Sequence, residues 1–446
     1  MNLRAHIDAA AMTPYQWMVV ALCVLLNCLD GFDVMAMAFT ASSLTEEFAL
    51  SGSELGVLLS AGLVGMAVGS LALAPVADVI GRRPLILISV GLATLGMLLS
   101  AAAPSALLLG LARVVTGLGV GGILASTNVI ASEYASARWR GLAIGLYTAG
   151  YGVGATLGGV AARGMLADLG WRSVFVAGGI ATAIALVLLI VLLPESVDFL
   201  VQRRPRQAVE RINRILGRLG QAAVTADTLG SAPVPTRRRS GNPGVLLGAD
   251  LRRSTLLIWV AFLATMFGFY FVNSWTPQLL VTSGMAEADA VTAGMMLALG
   301  GTAGSVLYGL VASRLDSRLV LIGFTVLSAL TMVVFITSTA LLTVALIIGV
   351  GVGALINGCI AGLYTITPAV YGTEIRSTGM GWAIGIGRIG AILSPMLAGR
   401  LLDASWTPVN LYVGAAVVVA ISAVALLFLR TGRAARSVPE VDVIPG

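Results

Sequence analysis

Residues Ala74 to Leu87 read APVADVIGRRPLIL. Apolar sequence leads into this stretch and out of it, and only its centre, Asp78 to Arg83, carries charge or turn chemistry. Gly81 permits a tight turn, and Arg82 and Arg83 place positive charge where one apolar run ends and the next begins. Taken alone, the loop fits any arginine-bearing connection between two membrane spans. The pattern around it decides more.

Runs of about 20 apolar residues, the length a ~30 Å hydrocarbon core needs, recur on both sides. We place them at 16–39, 54–77, 84–103, 105–131, 141–165, 172–193, 254–280, 290–312, 318–338, 341–370, 378–402 and 408–430. Their length and their lack of alternation exclude transmembrane strands. Hydrophobic residues make up 58% of the chain and charged residues 11%, against roughly 25% charged in soluble domains. The expected fold is therefore an all-α integral membrane protein with twelve transmembrane helices. The first run is too long, and too interrupted by polar residues, to read as a cleavable signal.

Orientation follows from arginine, which supplies all 27 basic side chains. Arg113 and Arg388 fall inside runs, and Arg163, Arg172 and Arg400 fall at odd-numbered connections. The others flank the termini and the even-numbered loops, so the positive-inside rule puts both termini in the cytoplasm. The long polar segment 195–253 separates runs six and seven. In RRPRQAVERINRILGRLGQ, the spacing of Ala208, Ile212, Ile215 and Leu219 predicts an amphipathic helix lying on the anionic inner leaflet. LGSAPVPTRRRSGNPG reads as a flexible linker whose Arg237, Arg238 and Arg239 are topogenic rather than nucleic-acid-binding.

The halves look repeated. GLAIG at Gly141–Gly145 returns as GWAIG at Gly381–Gly385, and DVIGRRP after run two returns as a decayed SRLDSRL after run eight. Six helices repeated as six describe two six-helix bundles with a midplane site between them. The organisation expected is bundle 1–194, cytoplasmic linker 195–253 with its amphipathic helix, and bundle plus cytoplasmic tail 254–446.

Several motifs are better read as packing. Gly117 to Gly122 contains Gly-x-Gly-x-x-Gly, but it lies within an apolar helix, without the strand a dinucleotide site needs. Gly150, Gly154 and Gly158 mark a helix-packing face. Cys23, Cys28 and Cys359 read as small buried hydrophobes, and His6 lies in the N-terminal tail. No metal cluster, nucleophile elbow or phosphate loop is present, so neither enzyme chemistry nor a cofactor is expected. Trp275 reads as an interfacial or space-filling ring. Tyr147, Tyr151, Asn273, Tyr364 and Trp382 are candidates to contact a planar ligand.

The charges inside the runs are most informative. Arg388 lies twelve residues from both Arg376 and Arg400, so it sits ~18 Å from each, near midplane. LNCLDGFDVMAMAF, Leu26 to Phe39, carries Asp30 and Asp33 on one helix face, each costing about 2.5–3.5 kcal/mol near a bilayer centre. Arg113 lies about 12 Å into its run and Asp30 about 15 Å, which makes an Asp30–Arg113 pair reasonable, whether functional or purely structural. A buried arginine suits a carboxylate ligand, which it grips bidentately. With no histidine in any run, proton chemistry falls to the aspartates. Asp30 is the expected coupling group through Arg113, with Asp33 tuning or gating the site. Glu133, near Arg138 and Arg140, is expected in a gate network rather than at the ligand.

The spacing Asp-x-x-Gly-Arg-Arg after the second of twelve spans resembles the signature loop of the major facilitator superfamily, apart from Ala74, where that family usually has glycine. RVVTGLGVGG and YGTEIRSTGMG match in order. The superfamily resemblance implies that Asp78 and Arg82 latch the two bundles on the cytoplasmic side. With DGFD in run one and TEIRSTGMGWAIGIGRIGAILSP in run eleven, the chain further resembles the aromatic acid:proton symporters. That resemblance implies functional positions at Asp30, Asp33, Asp78, Arg113, Glu133, Arg376 and Arg388. It also implies import of a benzoate- or hydroxybenzoate-type acid with protons, in a bacterial inner membrane, by a chain expected to work as a monomer. A transporter of sugars, drugs or aliphatic acids remains an alternative, as does a non-transporting receptor for aromatic acids.

Overall fold

A computed structural model of the chain describes residues 11–203, 207–219, 223, 243–249, 251–339, 341–371 and 375–429. His6, Glu374, the Arg237–Arg239 run with most of its linker, and the C-terminal tail lie outside the described residues.

Six long helices come first: α1 (Pro14–Phe48), α2 (Gly52–Ile80), α3 (Arg82–Ala101), α4 (Ala106–Tyr134), α5 (Arg140–Leu169) and α6 (Trp171–Leu192). Two short helices, α7 (Val197–Arg203) and α8 (Ala208–Arg218), and a 3₁₀ turn at Pro243–Leu247 follow. Six more long helices complete the fold: α9 (Arg252–Thr282), α10 (Glu287–Ala312), α11 (Ser317–Thr337), α12 (Leu342–Val370), α13 (Arg376–Asp403) and α14 (Pro408–Phe428). No strand occurs among the described residues. Eleven of these helices are long and apolar enough to cross a membrane. The remaining long one, α5, has 30 residues, and its many glycines make it less apolar.

Local chemistry sets the helix ends. Thr13 with Gln16 and Ser51 with Glu54 form capping boxes at the starts of α1 and α2, satisfying amides that a helix leaves unpaired. α1 runs past its apolar stretch to Phe48, where Ala49 takes the left-handed conformation and its N–H caps the Thr45 carbonyl; Thr40 and Thr45 fold their hydroxyls onto the carbonyls of Ala36 and Ala41. Between α2 and α3, Gly81 has φ +105°, a backbone state that L side chains rarely adopt. A Cβ there would also meet the Glu195 carboxylate.

The amphipathic segment forms α8, but Ala208, Ile212, Ile215 and Leu219 are buried. Ile212, Ile215 and Leu219 join a cluster with Tyr134, Leu189, Leu193, Phe199 and Leu200. That apolar face packs on the first half of the protein, against the ends of α4 and α6, instead of lying on a leaflet.

Within each half the long helices pack on one another. The halves meet along α2–α13, α5–α10 and α1–α9. At the end holding the α1–α2 and α13–α14 turns, one apolar cluster runs through both halves, including Phe39, Leu59, Trp275, Met295 and Ala398. At the arginine-rich end each half keeps its own cluster. Gly141, Gly145, Gly381 and Gly385, the repeated glycines, have nothing within 4 Å of where a Cβ would stand. Among the described residues the halves are thus closed at one end and parted at the other.

Candidate functional site

The α1–α5 crossing fixes the first wall of the site. Gly31 lies against the Tyr151 carbonyl so closely that a Cβ would stand 2.8 Å from its carbon and 3.1 Å from the Ala155 nitrogen. Gly154 and Gly158 pack on Cys28 and Phe32 in the same seam. Close approach at this glycine holds the flanking aspartates in register with Tyr147 and Tyr151.

The ion pair inside the membrane is not the one expected. Arg113 grips Asp33, Nη1 to Oδ1 at 2.7 Å and Nη2 to Oδ2 at 2.9 Å, with a further contact of Nη2 to the Asp33 carbonyl at 3.3 Å. The Phe175 ring lies 5.7 Å from the guanidinium carbon. Both side chains are buried. Asp30 and Asp33 differ by only ~4.5 Å in depth, so depth could not choose between them; the direction of the side chains does. Arg113 is therefore committed to Asp33 and does not reach for a ligand in this structure.

Asp30 is left alone. It is 6% exposed, and its Oδ1 has no hydrogen-bond partner among the described residues. Asp33 and Arg388 act on it electrostatically. Arg388, on α13, donates Nη1 to the Met66 sulfur at 2.8 Å and to the Tyr270 hydroxyl at 3.3 Å. No carboxylate lies within salt-bridge distance of it among the described residues. Tyr364 and Tyr151 are also among its electrostatic neighbours. Arg388 is half-buried, and its hydrogen bonds among the described residues all run from Nη1.

The other candidates are placed as follows. The Tyr151 hydroxyl is buried without a partner among the described residues, while the Tyr147 hydroxyl shares a 3.1 Å hydrogen bond with Thr127. Tyr364 is 40% exposed and packs edge-on against Phe262. Trp382 stacks on Trp259 at 5.8 Å, about 9 Å along α13 from Arg388. Asn273 spends its amide on the Phe269 carbonyl of its own helix at 2.8 Å. Trp275 is fully buried and donates to the Pro395 carbonyl at 3.2 Å. It fills space between α9 and α13.

The expected gate residues divide. The Arg82 and Arg83 amides both donate to Glu195 Oε1, at 2.9 and 3.1 Å, seating an anion on the α3 N-terminus. Arg82 Nη1 reaches Ser196 at 3.1 Å, and Ser196 donates to Glu133 at 2.6 Å. Arg140 donates to the carbonyls of Ser132 and Ala135 at the end of α4. Every one of these contacts stays within the first half. Asp78 and Arg376 are exposed, and the Asp78 carboxylate makes no hydrogen bond or ion pair among the described residues. Among the described residues, neither Asp78 nor Arg82 makes a contact across the two halves. Sequence reasoning missed Tyr270, inside an aromatic run that drew attention for its neighbours, and Glu195 with Ser196, whose only signal was a carboxylate just beyond the sixth span.

Known proteins resemble this chain in sequence and in fold. The family model described as "Major Facilitator Superfamily" matches residues 23–365. The chain is 32% identical over 404 residues to the gallate transporter of Pseudomonas putida, covering 90% of this chain and 89% of that one. It is 30% identical over 412 residues to the 4-hydroxybenzoate transporter PcaK of Acinetobacter baylyi, covering 91% and 89%. Among solved structures it is similar to the partially occluded inward-open form of the xylose transporter XylE from Escherichia coli. There the TM-score is 0.73 at 16% identity, covering 94% of this chain and 100% of that one. At that identity the likeness is one of fold.

Proposed function

The chain belongs to the Major Facilitator Superfamily, among its aromatic acid transporters, and from that premise we propose that it imports a monocyclic aromatic carboxylate together with protons. The observation that carries the proposal is Arg388: a cation inside a transmembrane helix, without a carboxylate partner among the described residues and beside tyrosine rings. An intramembrane charge is costly and by default functional, and a free guanidinium fork fits a carboxylate. The relatives named for gallate and 4-hydroxybenzoate support the ring-bearing class.

In this reading the substrate carboxylate takes the open N–H groups of Arg388, and Tyr151, Tyr270 and Tyr364 flank the ring. Asp30 is the proton carrier. While ionised it offsets the field of Arg388; once protonated it leaves that positive potential to the incoming anion. The closed Asp33–Arg113 pair holds the outer wall. The arginine-rich end faces the cytoplasm of a bacterial inner membrane, as the positive-inside rule directs. Residues 1–194 and 254–446 rock about the site, joined by 195–253.

Uptake into proteoliposomes tests the class. Labelled 4-hydroxybenzoate, gallate or benzoate is expected to enter, and neutral xylose is not. Xylose entry without any aromatic acid entering would overturn the reading.

A further inference from the structure

The α2–α13 pair joins the two halves, and its ends are not alike. At the closed end Asp403, the last residue of α13, reaches the first turn of α2 across the boundary. Its Oδ1 accepts from the Gly52 amide at 2.6 Å, and its Oδ2 accepts from the Ser53 amide at 2.8 Å and from the Ser53 hydroxyl. The capping box satisfies the Ser51 and Glu54 amides locally. Gly52 and Ser53 are satisfied only from the other half, 351 and 350 positions away. An anion on these leading amides of a 29-residue helix is favoured by their unpaired donors and by the macrodipole.

Close backbone contact supports the same seam. A Cβ on Gly52 would stand 2.9 Å from Asp403 Oδ1 and 3.1 Å from Leu402 Cβ, and Ser60 donates to the Ile392 carbonyl at 2.9 Å.

At the parted end the same two helices offer the reverse arrangement, Asp78 late in α2 and the start of α13 at Arg376. Yet the Asp78 carboxylate has no partner among the described residues, its carbonyl alone accepting from Arg203, and the α13 cap position, Ile375, provides no side-chain cap.

We propose that Asp403 is the outer gate residue of the transport cycle. Seated on the α2 N-terminus, it holds the halves together at the outer face and is released when the site opens outward. The contact is exposed, so water replaces it readily when it opens, as a reversible gate needs. The proposal rests on the transporter reading in supposing that an outward-open state exists and that the arginine-rich end is the inner one.

The test is the distance between spin labels at Ala102 and Val409, measured by electron spin resonance on the full chain in nanodiscs with the three native cysteines replaced by alanine. Asp403→Asn is expected to raise the ratio of long to short distances roughly two- to fivefold, the range of an exposed charged contact. Ser53→Ala should raise it less, and Asp403→Glu should restore part of the short population. Thermal unfolding confirms that each variant is folded; should Asp403→Asn fail that control, Ser53→Ala decides. A folded Asp403→Asn protein, or in its place Ser53→Ala, with the parent's distance distribution would overturn the proposal. Neither substrate nor proton gradient is needed, so this failure stays distinct from a failure in uptake.

Discussion

Replacing Arg388 by alanine is expected to weaken binding of 4-hydroxybenzoate, measured by calorimetry in detergent, by roughly 30- to several thousand-fold. That range corresponds to the about 2–5 kcal/mol lost when a buried charge contact is truncated. Arg388→Lys should recover little, because the bidentate fork is gone. Arg113 should behave differently, since its charge is committed to Asp33. Arg113→Ala or Asp33→Ala should destabilise the fold by about 3–5 kcal/mol, whereas Arg113→Met with Asp33→Leu should restore most of it. Thermal unfolding separates these cases, and a double variant as unstable as the singles would contradict a simple ion pair. The sequence showed that Asp30, Asp33 and Arg113 lie at similar depths in the membrane, with Arg388 near midplane. It could not show which aspartate meets Arg113, because residues three apart on a helix lie within one turn and the partner is fixed by how α1 rotates against α4.

At the scale of elements, twelve apolar runs anticipated twelve long helices to within a few residues, apart from the far end of α1. Hydropathy is a property of each segment by itself, and so is readable from sequence. What a helix packs against is not. The apolar face of α8 promised a leaflet and found the bundle, and Asp403 looked like any residue at a span's end until its partners 350 positions away were known. The signature loop is the converse case, since its glycine was legible and its partner was not. Gly81→Ala imposes a side chain on a backbone at φ +105° and presses it on Glu195. It should cost roughly 1–3 kcal/mol and lift Glu195 off the α3 amides. A lowered midpoint of thermal unfolding checks this, and an unchanged midpoint would mean that the loop relaxes freely.

In the whole molecule, a shape and a charge pattern come together. The halves share a core at one end and part at the other, and the solitary Asp30 and open Arg388 lie where helices of the two halves meet. In the proposed mechanism, protonation of Asp30 alters the balance between those two charges, so that the site loads and releases the anion. The decisive measurement is therefore proteoliposome uptake of labelled 4-hydroxybenzoate by the parent and by Asp30→Asn, with and without an inward proton gradient. The parent should accumulate substrate above equilibrium only with the gradient, while Asp30→Asn, fixed in a neutral state, should exchange substrate across the membrane without concentrating it. Proton-driven accumulation by Asp30→Asn at the parent's level would contradict the account.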